Sequence, residues 1–131
     1  MSAAPMRVYV VDDNALIQKV VTSYLEADGG FLVVATATNG QAAVRLAEQE
    51  SPDAIVLDHE MPGGPGLSVL PELRRLCPHA RIVMFSSAVE VREQALALGA
   101  DAFVDKAVEL EQLLRELRRT PEVSRTFDPD A

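Results

Sequence analysis

Four charged residues stand at matching places in this chain, each just behind a short apolar run. Asp12 and Asp13 follow Val8-Tyr9-Val10-Val11, Asp58 follows Ala54-Ile55-Val56-Leu57, and Lys106 comes shortly after Ala102-Phe103-Val104. If the runs are strands of one open parallel sheet, their carboxyl ends share an edge, and ligands bind at that edge. Three carboxylates gathered there repel one another and are stable mainly around a divalent cation. Mg2+ suits hard oxygen ligands and keeps coordination positions free for a phosphoryl oxygen. A cation and Lys106 together can neutralise the charge on a transferring phosphoryl group. One carboxylate is then the nucleophile, since an acyl phosphate on aspartate is established chemistry. Asp58 stands alone at a central strand end and is the candidate. Asp12 and Asp13 are left to hold the ion as a pair.

Each member has a plainer reading. Two acids after a strand can simply favour the N-terminus of the next helix, and for Asp12-Asp13 alone that account competes evenly with metal binding. A single lysine is by default a solvated surface charge. It is the joint pattern that chance does not readily supply. His59 adjoins Asp58, but neighbouring side chains at a strand end point opposite ways, so it is expected to face away. The Glu60 side chain could tune hydrolysis beside a phosphoryl group or simply face solvent. His79 reads as a loop residue, and Cys77, the only cysteine, as a buried small hydrophobe.

The elements that would place these residues follow from periodicity. Short apolar runs predict strands over Val8–Asp12, Phe31–Ala35, Ala54–Leu57, Arg81–Phe85 and Ala102–Val104. Between them, helical spacing predicts a helix capped by Asn14 with Leu16, Ile17, Val20, Val21 and Leu25 on its apolar positions. Gly29-Gly30 stops it. Further helices are expected over Gln41–Glu50, about Leu67–Leu76, Val89–Leu98 and Leu110–Arg119. Pro71 falls inside the third helix, where proline loosens the first turn or kinks the helix. Five strands alternating with five helices imply right-handed crossovers and an α/β fold. The expected form is a doubly wound, flavodoxin-like three-layer sandwich with strand order 2-1-3-4-5. That order sets strands one and three side by side and brings Asp12, Asp13 and Asp58 to the chain-reversal crevice.

The 131 residues allow one full domain, expected over 7–119 between a flexible start at 1–6 and a flexible tail at 120–131. The net charge of -8 argues against non-specific nucleic-acid binding. No run reaches the roughly 18 apolar residues of a membrane span, and Met1–Met6 lacks the pattern of a signal peptide. A cytoplasmic setting is expected.

The stretches VYVVDDNALIQKVV, IVLDHEMPGGPGL, IVMFSSA and GADAFVDKA resemble the successive signatures of bacterial two-component response-regulator receiver domains, over about Arg7 to Arg119. The resemblance implies that Asp58 accepts a phosphoryl group from the phosphohistidine of a sensor histidine kinase or phosphotransfer protein. It implies that Mg2+, for which Mn2+ can substitute, is held directly by Asp13 and Asp58, by Asp12 through water, and by the backbone carbonyl of Glu60. Lys106 would pair with the acceptor and then with a phosphoryl oxygen. Ser86 matches the switch hydroxyl and Phe103 the switch aromatic, in place of the commoner tyrosine. Ser87 occupies a position where the family places a small residue. Ala107 stands where many relatives carry proline, and the Gly63-Gly64-Pro65 loop is distinctive.

The expected function is therefore a phosphorylation-activated switch that signals through the fourth helix, fifth strand and fifth helix to a protein target. The domain itself would contact neither nucleic acid nor membrane, and it would be a monomer or a phosphorylation-dependent homodimer. It would catalyse only its own phosphorylation and dephosphorylation. Three other readings stay open at this point. They are a receiver fragment of a DNA-binding regulator, an aspartyl-phosphate phosphohydrolase, and an adaptor that keeps the fold without the chemistry.

Overall fold

A computed structural model describes residues 4–107 and 110–119. The expected flexible tail at 120–131 lies outside the described residues, as do the first three positions of the expected flexible start. Five strands form one parallel sheet: β1 Met6–Val11, β2 Phe31–Ala37, β3 Ala54–Leu57, β4 Arg81–Ser86 and β5 Ala102–Asp105. Their order is β2-β1-β3-β4-β5, as strand-helix alternation predicted. The connecting helices are α1 Ala15–Asp28, α2 Gly40–Gln49, α3 Gly66–Leu76, α4 Arg92–Leu98 and α5 Leu110–Arg118.

Both faces of the sheet are covered, which is why the central strands read as unbroken apolar runs. All four residues of β3 are buried. On one face Val8, Val10, Val56 and Val83 pack against Val21 and Leu25 of α1 and Leu113, Leu114 and Leu117 of α5. On the other, Tyr9, Ile55, Leu57, Ile82 and Met84 pack against α2, α3 and α4, where Cys77 is buried as expected.

Some boundaries and facings differ from the sequence reading. Strand β1 takes in Met6, which pairs with Phe31 of β2. Leu16 and Val20 are not core residues: they are 67% and 44% exposed, and only Val21 and Leu25 of the α1 set are fully buried. The reason is a wide apolar arc of which the sheet covers only one side. Helix α3 runs through Pro71 to Leu76 without a break, with Pro71 exposed at its surface. The predicted helix from Val89 begins as a 3-10 turn over Val89–Val91, and the α-helix starts only at Arg92.

Candidate functional site

The site grows from the carboxyl ends of β1, β3 and β5. The β1–β3 ladder extends one step past the strands, because Asp58 N donates to Val11 O at 2.9 Å. Asp12 N donates in the same way to Ala37 O of β2 at 2.9 Å. On the far side, Lys106 N donates to Ser86 O at 3.1 Å. Backbone pairing thus delivers the three charged segments to one edge before any side chain acts.

The side chains then converge. Asp12, Asp13 and Asp58 each offer one carboxylate oxygen, and these oxygens all lie within 4.8 Å of one another. Lys106 Nζ reaches Asp12 Oδ2 at 2.7 Å and Asp58 Oδ2 at 3.2 Å. Asp12 and Asp58 are buried, whereas Asp13 is exposed and opens the cluster to solvent. The donor set is three hard oxygens beside one ammonium. It fits a hard divalent cation such as Mg2+ and matches no softer metal, because no cysteine or histidine belongs to it.

The electrostatics show strain. Burial pushes the Asp12 carboxyl above its ordinary value, and the neighbouring Asp58 charge adds to this. The bonds from Lys106 and Asn14 N–H oppose the rise without cancelling it. Burial also disfavours the Lys106 ammonium. Its bonds to Asp12 and Asp58 and their charges outweigh that, so its pKa lies above the usual lysine value.

Local turns fix the remaining parts. Asn14 caps α1 through Leu16 N and Ile17 N, and its own N–H donates to Asp12 Oδ1 at 2.9 Å. Beyond Asp58, Gly66 N donates to His59 O at 2.7 Å and folds the proline- and glycine-rich loop back. An added Cβ at Gly66 would sit 2.1 Å from the Asp58 carbonyl oxygen, so only glycine fits there. Gly63 and Gly64 both take positive φ in this loop.

Among the other expected residues, Ser86 is fully buried and its Oγ accepts from Ala88 N at 3.1 Å. Phe103 is buried and belongs to the core cluster on the α4 side of the sheet. Ser87 donates from Oγ to Glu60 Oε1 at 3.2 Å, a link between two loops that no sequence spacing announced. Glu60 N donates to Asp58 Oδ1 at 3.3 Å. His59 takes no part in the cluster, and its Nδ1 is a buried nitrogen with no hydrogen-bond partner. His79 lies in the loop between α3 and β4, away from this edge.

Comparison with known proteins decides the family. A family model described as the response regulator receiver domain matches residues 8–118. The chain belongs to that family. It is a receiver domain of the two-component type, the domain that serves as a phosphorylation-activated switch. It is similar to a protein-glutamate methylesterase/protein-glutamine glutaminase of Rhodospirillum centenum, 42% identical over 106 residues, covering 78% of this chain and 27% of that protein. A counterpart from Azospirillum brasilense is 39% identical over 106 residues, with the same coverage of each chain. The chain thus spans about a quarter of the length of these relatives. Among solved structures, the response regulator domain of Thermotoga maritima CheB is 30% identical, covers 95% of this chain and 99% of that one, and has a TM-score of 0.77. A chain of the CheX-CheY-BeF3-Mg complex from Borrelia burgdorferi is 25% identical with a TM-score of 0.81, covering 95% of this chain and 92% of that one. No helix among the described residues is long and apolar enough to cross a membrane.

Proposed function

We propose that this receiver domain takes a phosphoryl group onto Asp58 from the phosphohistidine of a sensor histidine kinase or phosphotransfer protein. The single observation behind this reading is the convergence of Asp12, Asp13, Asp58 and Lys106 at one sheet edge. Asp13 and Asp58 would hold Mg2+ directly, Asp12 through water, and the Glu60 backbone carbonyl would complete the protein's share. Such an ion neutralises negative charge on phosphoryl oxygens.

The chain's own groups do the rest. An Asp58 carboxylate oxygen attacks phosphorus, the bond from phosphorus to the donor imidazole breaks, and the imidazole keeps the electron pair. Lys106 bonds a phosphoryl oxygen, having been held in place by Asp12 and Asp58 beforehand. Ser86 Oγ, which here accepts from Ala88 N, turns its hydroxyl toward the new acceptor oxygens. A structural relative from Burkholderia pseudomallei carries a phosphorylated aspartate, and one from Borrelia burgdorferi belongs to a complex with beryllofluoride and magnesium, which supports an aspartyl phosphate as the product.

Two surfaces support a protein donor and a protein target. Leu16, Val20 and Tyr24 lie on successive turns of α1, exposed, starting one turn from Asp13. They form an apolar rail on which a donor can rest while its histidine reaches Asp58. Val89, Leu96 and Leu98 are exposed on or beside α4, an element of the expected output surface. The methylesterase and glutaminase activities named for the longer relatives belong to those proteins; our reading gives this receiver the role of their switch.

Acetyl-phosphate labelling followed by intact mass tests the assignment. The parent chain should gain one phosphoryl group in Mg2+ and none in chelator, and Asp58→Asn should gain none. Undiminished labelling of Asp58→Asn would move the acceptor elsewhere.

A further inference from the structure

Gln18 carries no charge and none of the roles above falls to it, yet its side chain reaches the base of the acidic cluster. From the first turns of α1 its amide nitrogen donates both hydrogens: to Asp12 O at 2.6 Å and to Ala37 O at 3.0 Å. These carbonyls end β1 and β2, where the two strands separate. Ala37 O also accepts from Asp12 N. The side chain therefore fastens the peptide between Asp12 and Asp13 to the end of β2.

Three bonds set the Asp12 turn. Asp12 N donates to β2, Asp12 Oδ1 accepts from Asn14 N, and Asp12 O accepts from Gln18. The first holds Asp12 to β2, and the second spans Asp12 and Asp13 from the Asp12 side chain. The third is the one that holds the carbonyl of the peptide leading into Asp13, and so helps to set the direction from which the Asp13 carboxylate enters the cluster. Asp13 is exposed, with no packing around it to do that job. Loss of the amide also leaves a carbonyl of a buried residue without this donor.

We propose that Gln18 is a positioning residue for the metal-binding carboxylates, acting through the Asp12–Asp13 peptide and not by touching the ion. The assignment rests on reading Asp12, Asp13 and Asp58 as a divalent-cation site. Groups that orient metal ligands from behind are worth about 10–100-fold in metal affinity when removed.

Mn2+ titration of the full chain, followed by loss of the free-ion electron paramagnetic resonance signal, tests this directly. Gln18→Met removes the donor at nearly constant shape and should weaken Mn2+ binding about tenfold. Gln18→Glu also removes the donor but adds a negative charge, which by attraction alone would tighten binding. It should still bind more weakly than the parent. In the metal-free protein, backbone amide shifts of Asp13 and Asn14 should move in both variants. A Gln18→Met variant within about twofold of the parent, or a Gln18→Glu variant that binds more tightly, overturns the proposal even if stability falls. Should Gln18→Met not fold, Gln18→Glu decides alone. A parent chain that takes up no Mn2+ ends the cation-site reading, and the role of Gln18 with it; this outcome is separate because it shows in the unmutated protein.

Discussion

Lys106 lies closer to Asp12, at 2.7 Å, than to Asp58, at 3.2 Å. The resting ammonium thus serves first as a counter-charge to Asp12, one of the acids we propose to hold the metal. It occupies part of the role a divalent ion would fill, and it competes with that ion electrostatically. Lys106→Met should therefore separate two properties. Mg2+ binding should tighten by about two- to tenfold, because a nearby positive charge is gone. Labelling of Asp58 by acetyl phosphate should fall by about 100-fold, because the phosphoryl group loses its fixed cation. Calorimetric Mg2+ titration and a labelling time course check the two halves; weaker Mg2+ binding in this variant would contradict the competition.

The raised pKa of Asp12 makes a signed prediction about stability. A carboxyl whose folded pKa lies above its unfolded value favours the fold when protonated, and that contribution is lost as pH rises through the folded pKa. At neutral pH without metal, ionised Asp12 therefore works against the fold. Asp12→Asn should melt higher than the parent at pH 7 in chelator, and the gap should close as pH falls toward the ordinary Asp value of 3.8. Lys106 behaves in the complementary way: its raised pKa gives stability present below the unfolded value near 10.5, lost as pH rises through the folded one. Adding Mg2+ should raise the parent's melting temperature more than that of Asp12→Asn. Melting curves over pH, with and without Mg2+, test all of this.

Gly66 makes the tightest glycine contact in the loop that follows Asp58. With a Cβ placed 2.1 Å from the Asp58 carbonyl oxygen, Gly66→Ala has to push the loop off the end of β3. The obstacle is backbone, not the flexible end of a side chain, so little relaxation is open to it. The expected loss is about 1–3 kcal/mol of stability, read from urea unfolding, together with slower labelling of Asp58. Gly63→Ala meets no atom within 4 Å but must hold a positive φ, so its effect should be smaller and confined to the loop.

Much of this was legible because the strands announce themselves. A sheet buried on both faces needs short unbroken apolar runs, and the charges after the first, third and fifth of them mark the functional edge. What stayed hidden depends on rotation and reach. Leu16 and Val20 share helical spacing with Val21 and Leu25, and spacing alone does not say which side of a wide apolar arc meets the sheet. The preference of Lys106 for Asp12 depends on side-chain lengths across β1, β3 and β5. The Gln18 amide and the Ser87–Glu60 link join residues far apart in sequence through ordinary polar groups, whose types carry no signature. Pro71 sits at an exposed position of α3 between the buried Leu70 and Leu73, whose packing helps to hold the helix where one backbone donor is missing.

Ala107 gives the last prediction, because here the departure from the family pattern has a structural use. Its N–H donates to Asp105 Oδ1 at 2.9 Å, closing a side-chain turn around Lys106. That turn and the bond from Lys106 N to Ser86 O fix the lysine's backbone from both sides. Proline has no N–H to give, so Ala107→Pro removes one of the two restraints. The stability loss should be about 1 kcal/mol, the usual worth of such a bond. Labelling should slow more than stability alone explains, since Lys106 Nζ must meet two carboxylates at once. Asp105→Ala removes the same bond from the other end and should reproduce the effect without changing φ at position 107. If Asp105→Ala labels at the parent rate while Ala107→Pro does not, the backbone and not the turn is responsible, and the assigned role of Ala107 N–H falls.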